Sequence, residues 1–252
     1  MTAHRLEGLD AAALAARLGV PRVALFARVA STMDEAHRLG AAGAAAGTLV
    51  VADEQRAGRG RGGRRWTSHA FHGLWMTLVE RPESDSGLDV LSLRLGLGAA
   101  PVLEHFAACR VTVKWPNDLY VGPRKLGGIL VEARWRDQRP DWVAIGLGVN
   151  IAPPADVPSA AGLRPTATRL ALLEVLVPVL RVAAEARGPL SSAELADFAA
   201  RDYARGRRCA RPARGVVQGI TSDGALIIES AGGVAHYRGG SLEFAGEERE
   251  AP

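Results

Sequence analysis

Apolar residues recur at helical spacing in Leu9 to Leu18, Met33 to Leu39 and Leu91 to Ala108, so each of these segments has one stripe to bury. Strand-like runs, alternating or rich in β-branched residues, occupy Arg22 to Val29, Thr48 to Ala52, Gly73 to Val79, Val111 to Trp115, Leu126 to Arg134 and Trp142 to Ile151. Several of these strands succeed one another with no helix between them. That order predicts an α+β fold, a mixed or largely antiparallel sheet with helices packed on it.

Four prolines between Pro153 and Pro165 mark a loop. Two helical segments come next, Thr166 to Arg187, with a kink expected near Pro178, and Ser191 to Tyr203, where Ser191 or Ser192 supplies the cap. Beyond Arg214 the pattern changes to short strands at Gly215 to Ile220, Ala225 to Glu229, Ala235 to Arg238 and Ser241 to Phe244, joined by glycine turns. The chain therefore divides into a larger unit, 1–204, and a small β unit, 205–252, expected to pack against it. A strand near Val143 to Ile151 is expected at a sheet edge, where it offers a route to a homodimer.

With 252 residues, 48% of them apolar, the chain buries a core without disulfides or metal. Cys109 and Cys209 match no zinc or redox spacing, which suits a reducing compartment. The first twenty residues carry Glu7 and Asp10 and lack the form of a signal peptide, so a cytoplasmic protein is expected. Leu170 to Ala186 is interrupted by Glu174, Pro178, Arg181 and Glu185, too broken for a membrane span. His69 and His72 are three apart but have no carboxylate or cysteine at ligand spacing, and no metal site is assigned.

Net charge is +4, yet residues 56 to 65 alone hold Arg56, Arg59, Arg61, Arg64 and Arg65 and no acid. So local a field suits a small, highly charged ligand. Gly58, Gly60 and Gly63 satisfy G-x-G-x-x-G, but the residues after them read as a strand, whereas a dinucleotide loop opens into a helix. An RGG-type RNA segment is a second reading, although such segments are usually repeated and this one occurs once. A third is a loop that closes over a nucleotide, its glycines allowing close approach and its arginines gripping phosphate. A second basic cluster, Arg205 to Arg214, reads as a solvated connection.

The other segment with chemistry is Lys114 to Glu132, with Asn117 and Asp118 on a proline-fixed turn and Lys125 at the foot of the next strand. Four ordered blocks, Ser31-Thr-Met-Asp34, Gln55 to Trp66, Lys114 to Glu132 and Gly146-Leu-Gly-Val-Asn150, together resemble the biotin protein ligases. A weaker fifth block, Asp223 to Glu229 and then Gly239 to Leu242, is similar to that family's C-terminal domain.

The resemblance implies a class II synthetase-like biotin/lipoate ligase catalytic domain and a C-terminal SH3-like β-barrel. It implies formation of biotinyl-5'-AMP from biotin and Mg-ATP, then transfer of biotin to a lysine of a biotin carboxyl carrier protein or domain. Ser31, Thr32 and Gln55 would bond the ureido ring, with backbone at Gly58 and Arg59 alongside. Arg61 would contact the adenylate, Arg64 the phosphates, Trp66 the adenine face and Asn150 its edge. Gly128, Gly146 and Gly148 would line a slot for the valeryl chain where any Cβ would intrude. Lys125 would stand between the biotin carboxylate and the α-phosphate, and Asn117 and Asp118 would help place Mg-ATP and the incoming amine. About twenty residues precede the first strand, so a monofunctional ligase without a DNA-binding unit is expected.

Overall fold

Strand-like runs scattered over 130 residues of sequence meet in one sheet because each has an apolar face to bury. The computed structural model describes residues 4–153 and 157–246. The proline-rich loop therefore includes three residues, 154–156, that lie outside the described residues.

The larger unit begins with α1 (Ala11–Leu18), β1 (Val23–Val29), α2 (Thr32–Ala41), β2 (Thr48–Arg59), β3 (Arg65–Ser68) and β4 (Gly73–Glu80). It continues through α3 (Leu91–Glu104), β5 (Val111–Lys114), β6 (Asp118–Val121), β7 (Arg124–Arg136) and β8 (Arg139–Asn150), then α4 (Arg169–Glu185) and α5 (Ser192–Arg201). Its eight-stranded sheet has the order β1-β2-β4-β8-β7-β6-β5, with β3 paired to β2. Only β1 and β2 run parallel; the other pairs are antiparallel. The mixed sheet is as the sequence predicts. The position of β8 is not: it lies between β4 and β7 and is no edge, so intersubunit pairing through Val143 to Ile151 is excluded.

Strand alternation divides the core. Leu49, Val51, Leu74, Met76, Ile145, Leu147 and Val149 face a large cluster with residues of α1, α3, α4 and α5. Val50, Val79 and Ala144 face the other way, against Met33, Ala36 and Leu39 of α2 and the indole of Trp142. A single helix thus covers only part of that second face and leaves the rest open.

Helix ends obey their caps. Asp10, Ser31 and Thr168 accept from backbone N–H groups in the first turns of α1, α2 and α4. Ser191, not Ser192, caps α5, forming a reciprocal capping box with Glu194. Helix α4 carries Pro178 inside its length.

The small unit contains β9 (Arg208–Arg211), β10 (Gly215–Ile220), β11 (Leu226–Ser230), β12 (Gly233–Tyr237) and β13 (Glu243–Phe244). They form a five-stranded antiparallel sheet of order β12-β11-β10-β9-β13. Its end strands do not pair with each other among the described residues, so the sheet is present and closure into a barrel is not shown. The expected solvated connection at Arg205 to Arg214 proves to contain β9, whose Cys209 is buried. Val217, Leu226, Ile228, Leu242 and Phe244 join the large core, and the Trp115 indole N–H donates to the Gly224 carbonyl at 2.9 Å. The β unit packs on the larger one as expected. No helix among the described residues is long and apolar enough to cross a membrane.

Candidate functional site

On the α2 face of the sheet, beyond the N-terminus of that helix, β7 and β8 present Gly128, Gly146 and Gly148 where other positions would carry side chains. The missing side chains leave a cavity of about 550 Å³, roofed by the Arg-Gly segment. All the candidate residues that the sequence suggested line it except Gly58.

The Arg-Gly segment is a hairpin: β2 runs on to Arg59, a short 3₁₀ turn covers Arg61–Gly63, and β3 returns. Gly58 sits inside it, where a Cβ would come within 2.3 Å of the Trp66 carbonyl oxygen and 2.9 Å of Ser68 Oγ. Its glycine serves the close crossing of two strands, and Gly58 itself does not line the cavity. Gly62 has φ 64°, in the left-handed region that favours glycine.

One end of the cavity is closed by a buried polar cluster. Ser31 caps α2, its Oγ accepting from Met33 N at 3.2 Å. Thr32 donates to Gln55 Oε1 twice, from its N at 2.8 Å and its Oγ1 at 3.0 Å. Gln55 Nε2 donates to Ser68 Oγ at 2.8 Å, and Thr77 Oγ1 bonds Thr32 Oγ1 at 2.9 Å. Ser31, Thr32, Ser68 and Thr77 are all buried. Ser68 and Thr77 were not legible as site residues, because each is a lone hydroxyl in a strand and only pairing brings it to Gln55 or Thr32.

At the other end Lys125 Nζ lies 2.8 Å from Asp118 Oδ1. Strand β6 makes this possible: Asp118 pairs across to Gly128, and a register shift between Leu119 and Tyr120 sets Tyr120 opposite Lys125. The segment at 157–161 holds the lysine's backbone, Lys125 N donating to Ser159 O and Ala161 N to Lys125 O. Asn117 spends one amide proton structurally, Nδ2 donating to Ile129 O at 2.6 Å. Asn150 is buried at the end of β8, its Nδ2 3.5 Å from Lys125 O.

Trp66 lies on the glycine floor. A Cβ at Gly148 would come within 2.8 Å of its Nε1, and one at Gly146 within 2.8 Å of Met33 Cε. At Gly128 a Cβ would meet nothing closer than 3.4 Å, an ordinary contact, so the expectation that any Cβ intrudes holds at 146 and 148 and not at 128. Lys125 Nζ stands 5.1 Å from the Trp66 ring centroid, and Trp75 meets the ring edge-on at 6.4 Å. The buried Nε1 of Trp66 has no hydrogen-bond partner among the described residues.

The arginines divide by role. Arg59 is clamped by carboxylates from other elements, Asp34 Oδ1 at 2.8 Å and Glu132 Oε1 at 2.5 Å. The sequence stretch holds no acid, but α2 and β7 supply two. Glu132 also meets His37 Nε2 at 2.9 Å, and the Trp142 indole N–H donates to His37 Nδ1 at 3.1 Å. An indole nitrogen only donates, so Nδ1 is the unprotonated nitrogen. Burial first, and the neighbouring Arg134 and Arg59 charges, hold the His37 pKa below its ordinary value, the Glu132 hydrogen bond and charge opposing. Arg61 reaches into the cavity; burial first, then repulsion from Arg64, lowers its pKa from the ordinary arginine value, and Asp118 acts against both. Arg64 donates to Ser241 Oγ of the β unit at 3.2 Å. Among the described residues no group of three His, Cys, Asp or Glu side chains is placed to hold a metal.

A trough floored by glycine, closed by polar side chains at one end and by a lysine, a carboxylate and arginines at the other, defines a site for an elongated molecule with a polar head and an anionic tail. Residues 25–150 match the model of the biotin/lipoate A/B protein ligase family. The chain belongs to that family.

Among its relatives, the biotin–acetyl-CoA-carboxylase ligase of Paracoccus denitrificans is 32% identical over 83% of this chain and 95% of its own. The bifunctional ligase/repressor BirA of Bacillus spizizenii is 38% identical over 51% of this chain. This chain spans about two fifths of the length of the Bacillus relatives it matches. The structure of the Aquifex aeolicus biotin protein ligase in complex with biotin and ATP superposes with a TM-score of 0.71, at 25% identity, over 88% of this chain and 99% of that one.

Proposed function

We propose that this protein is an ATP-dependent biotin protein ligase that joins biotin and ATP into biotinyl-5'-AMP with release of pyrophosphate, then transfers biotin to a lysine of a biotin carboxyl carrier protein or domain. The observation that carries this reading is the polarity of the trough. Ser31, Thr32 and Gln55 suit the neutral, cyclic urea of biotin, and the glycine floor suits its acyl chain. Lys125, Arg61 and Arg64 gather where a carboxylate and an α-phosphate would meet. A lipoate or octanoate ligase, the rival activity within the family, has no use for a hydrogen-bonding head site, since neither acid carries a urea.

In this reading the chain does its chemistry by positioning and charge. Lys125 neutralises the charge that builds as the biotin oxygen attacks phosphorus, Arg61 grips the adenylate and Arg64 the phosphates, and the hairpin keeps water from the mixed anhydride. Asn150 and Trp66 take the adenine. In the second step Asp118 orients the acceptor amine, and the acyl carbon passes to its nitrogen as AMP leaves. Among the described residues Asp118 offers a single carboxylate at the site. One carboxylate fits a Mg²⁺ carried mainly by the nucleotide phosphates, where the ion supplies charge neutralisation.

The β unit, divided from the catalytic unit at 204/205, lends Ser241 to the Arg64 side of the site. Cys109 and Cys209 are free thiols, consistent with a reducing cytoplasm. The test is ATP–pyrophosphate exchange with biotin, lipoate or octanoate supplied singly. Exchange stronger with biotin than with either other acid is expected; exchange stronger with another acid would keep the adenylating mechanism and change the substrate, and none would remove both.

A further inference from the structure

Hydroxyl protons in the buried cluster have only one consistent arrangement, and it starts from a backbone donor. Thr32 N–H can only donate, so the Gln55 atom 2.8 Å away is the amide oxygen and the other terminal atom is Nε2. That oxygen can only accept, so the Thr32 hydroxyl, 3.0 Å away, spends its one proton on it. Thr77 Oγ1, 2.9 Å from Thr32 Oγ1, must then be the donor in that contact. On the far side Nε2 donates to Ser68 Oγ, whose own proton is left for the Trp66 carbonyl at 3.3 Å.

The relay therefore runs in one direction, Thr77 to Thr32 to Gln55 to Ser68 to the backbone of β3. It leaves defined valences toward the cavity. Thr32 Oγ1 keeps one lone pair and no proton. Gln55 Nε2 keeps one proton, and Ser31, whose Oγ accepts from Met33 N, keeps its hydroxyl proton and one lone pair. Two donors beside two lone pairs are the complement of a cyclic urea, a carbonyl oxygen flanked by two N–H groups.

We infer that Thr77 and Ser68, which carry no other assigned role, are positioning residues that set the donor and acceptor pattern of the head site and so its selectivity for a urea. This rests on the ligase function proposed for the chain. Thr77 is completely buried, lines the cavity at the Gly146 end and reaches the ligand space through Thr32. Without its proton the Thr32 hydroxyl is no longer held as an acceptor, and one urea N–H loses its directed partner.

The test compares wild type with Thr77→Val, which keeps the shape and removes the proton, Thr77→Ser, which keeps the proton and removes a methyl group, and Ser68→Ala. Biotin binding is measured by calorimetry, pyrophosphate exchange with biotin and with octanoate, and folding by the thermal midpoint. Thr77→Val is expected to weaken biotin about tenfold, the worth of one directed hydrogen bond, with KM for ATP unchanged. Thr77→Ser should recover most of that loss. Because octanoate has no urea, its weak exchange should not fall in Thr77→Val, so the preference for biotin over octanoate shrinks by the same tenfold. Ser68→Ala should lower the preference in the same direction but less, because Gln55 Nε2 loses the acceptor that fixes which proton faces the cavity while Thr32 still holds the amide oxygen.

Equal losses for both acids, or equal losses in Thr77→Val and Thr77→Ser, would mean that Thr77 only packs and would overturn the inference. So would unchanged biotin affinity in Thr77→Val. Wild type that binds no biotin at all would sink the ligase reading and this inference with it, and is told apart because it needs no variant.

Discussion

Lys125 and Asp118 form an ion pair of 2.8 Å at one end of the cavity, although the two are seven residues apart in sequence and lie on different strands. The pair holds the lysine over the glycine trough, partly shielded from solvent, where its charge is worth more than on an open surface. Lys125→Ala is expected to lower biotin-dependent pyrophosphate exchange by on the order of 100-fold or more, the loss usual for removing a group that meets developing charge. Near-normal pyrophosphate release would refute the role given to Lys125. Asp118→Asn should retain more of the exchange than of the transfer to the carrier, because the second step uses the carboxylate.

Trp66 rests on the glycines that the acyl chain would need, with its buried Nε1 unpartnered among the described residues. Leaving that N–H buried costs about 1–3 kcal/mol, which lowers the cost of moving the ring aside. Addition of biotin and ATP should therefore change the tryptophan emission in wild type, and the change should be absent in Trp66→Phe. An identical response in the two proteins would show that the ring does not move.

The glycines of the floor should not behave alike. Gly148→Ala drives a methyl group to 2.8 Å from the indole and is expected to cost roughly 1–3 kcal/mol of stability, as overpacking does. Gly128→Ala meets only ordinary contacts and should cost about 1 kcal/mol or less. Equal shifts in chemical denaturation would contradict the geometry.

Glu132 is the carboxylate that ties the Arg-Gly hairpin, through Arg59, to β7. The Arg59 side chain is about a third exposed, so solvent screening reduces the pair to about 1 kcal/mol, or roughly a fivefold change in hairpin opening. Glu132→Gln should release adenylate faster, seen as a few-fold rise in biotinylation of bystander protein. Arg61→Gly, which removes the contact to the adenylate itself, should leak more. Selectivity equal to wild type in both variants would dissociate the hairpin from retention.

Asp202 ends α5 beside β5, and burial pushes its carboxyl pKa up to about 6, with hydrogen bonds from the Ala204 and Arg205 backbone and the Arg205 charge opposing. Its Oδ1 accepts from Ala204 N at 2.8 Å and its Oδ2 has no partner among the described residues. A carboxyl whose folded pKa is raised contributes stability that is fully present below the unfolded value near 3.8 and is lost as pH rises through about 6. The full effect is at most roughly 3 kcal/mol. Asp202→Asn should stabilise the protein above pH 6 and remove part of the slope between about pH 4 and 6. A wild-type slope retained in the variant would assign that titration elsewhere.

Much of this protein was legible along the chain because its signals are local. Apolar spacing located α2, β1, β4 and the start of β2, since a strand or helix must turn a regular face to the core. Ser31, Gln55, Lys125 and Asn150 were singled out through the resemblance of the ordered blocks that contain them to the biotin protein ligases. Three strands escaped, among them β3, whose Arg65 and Trp66 end the basic run. In β6 the turn residues Asn117 and Asp118 hide a four-residue strand, and in β9 three arginines conceal an alternation with only Cys209 buried.

Which groups meet was decided by the tertiary structure. Sequence alone determined the chemistry available, an amide, hydroxyls, a lysine and five arginines in one short stretch, and the periodicity that makes a mixed sheet. It could not show that Asp34 and Glu132 neutralise Arg59, that Gly58 serves strand crossing, or that β8 is central, because each depends on pairing between segments far apart in the chain. The same holds for Thr77, whose hydroxyl gains direction only when β4 lies beside the start of α2, 45 residues earlier. Hydrogen-bond polarity is a property of contacts, and contacts exist only once the chain has folded.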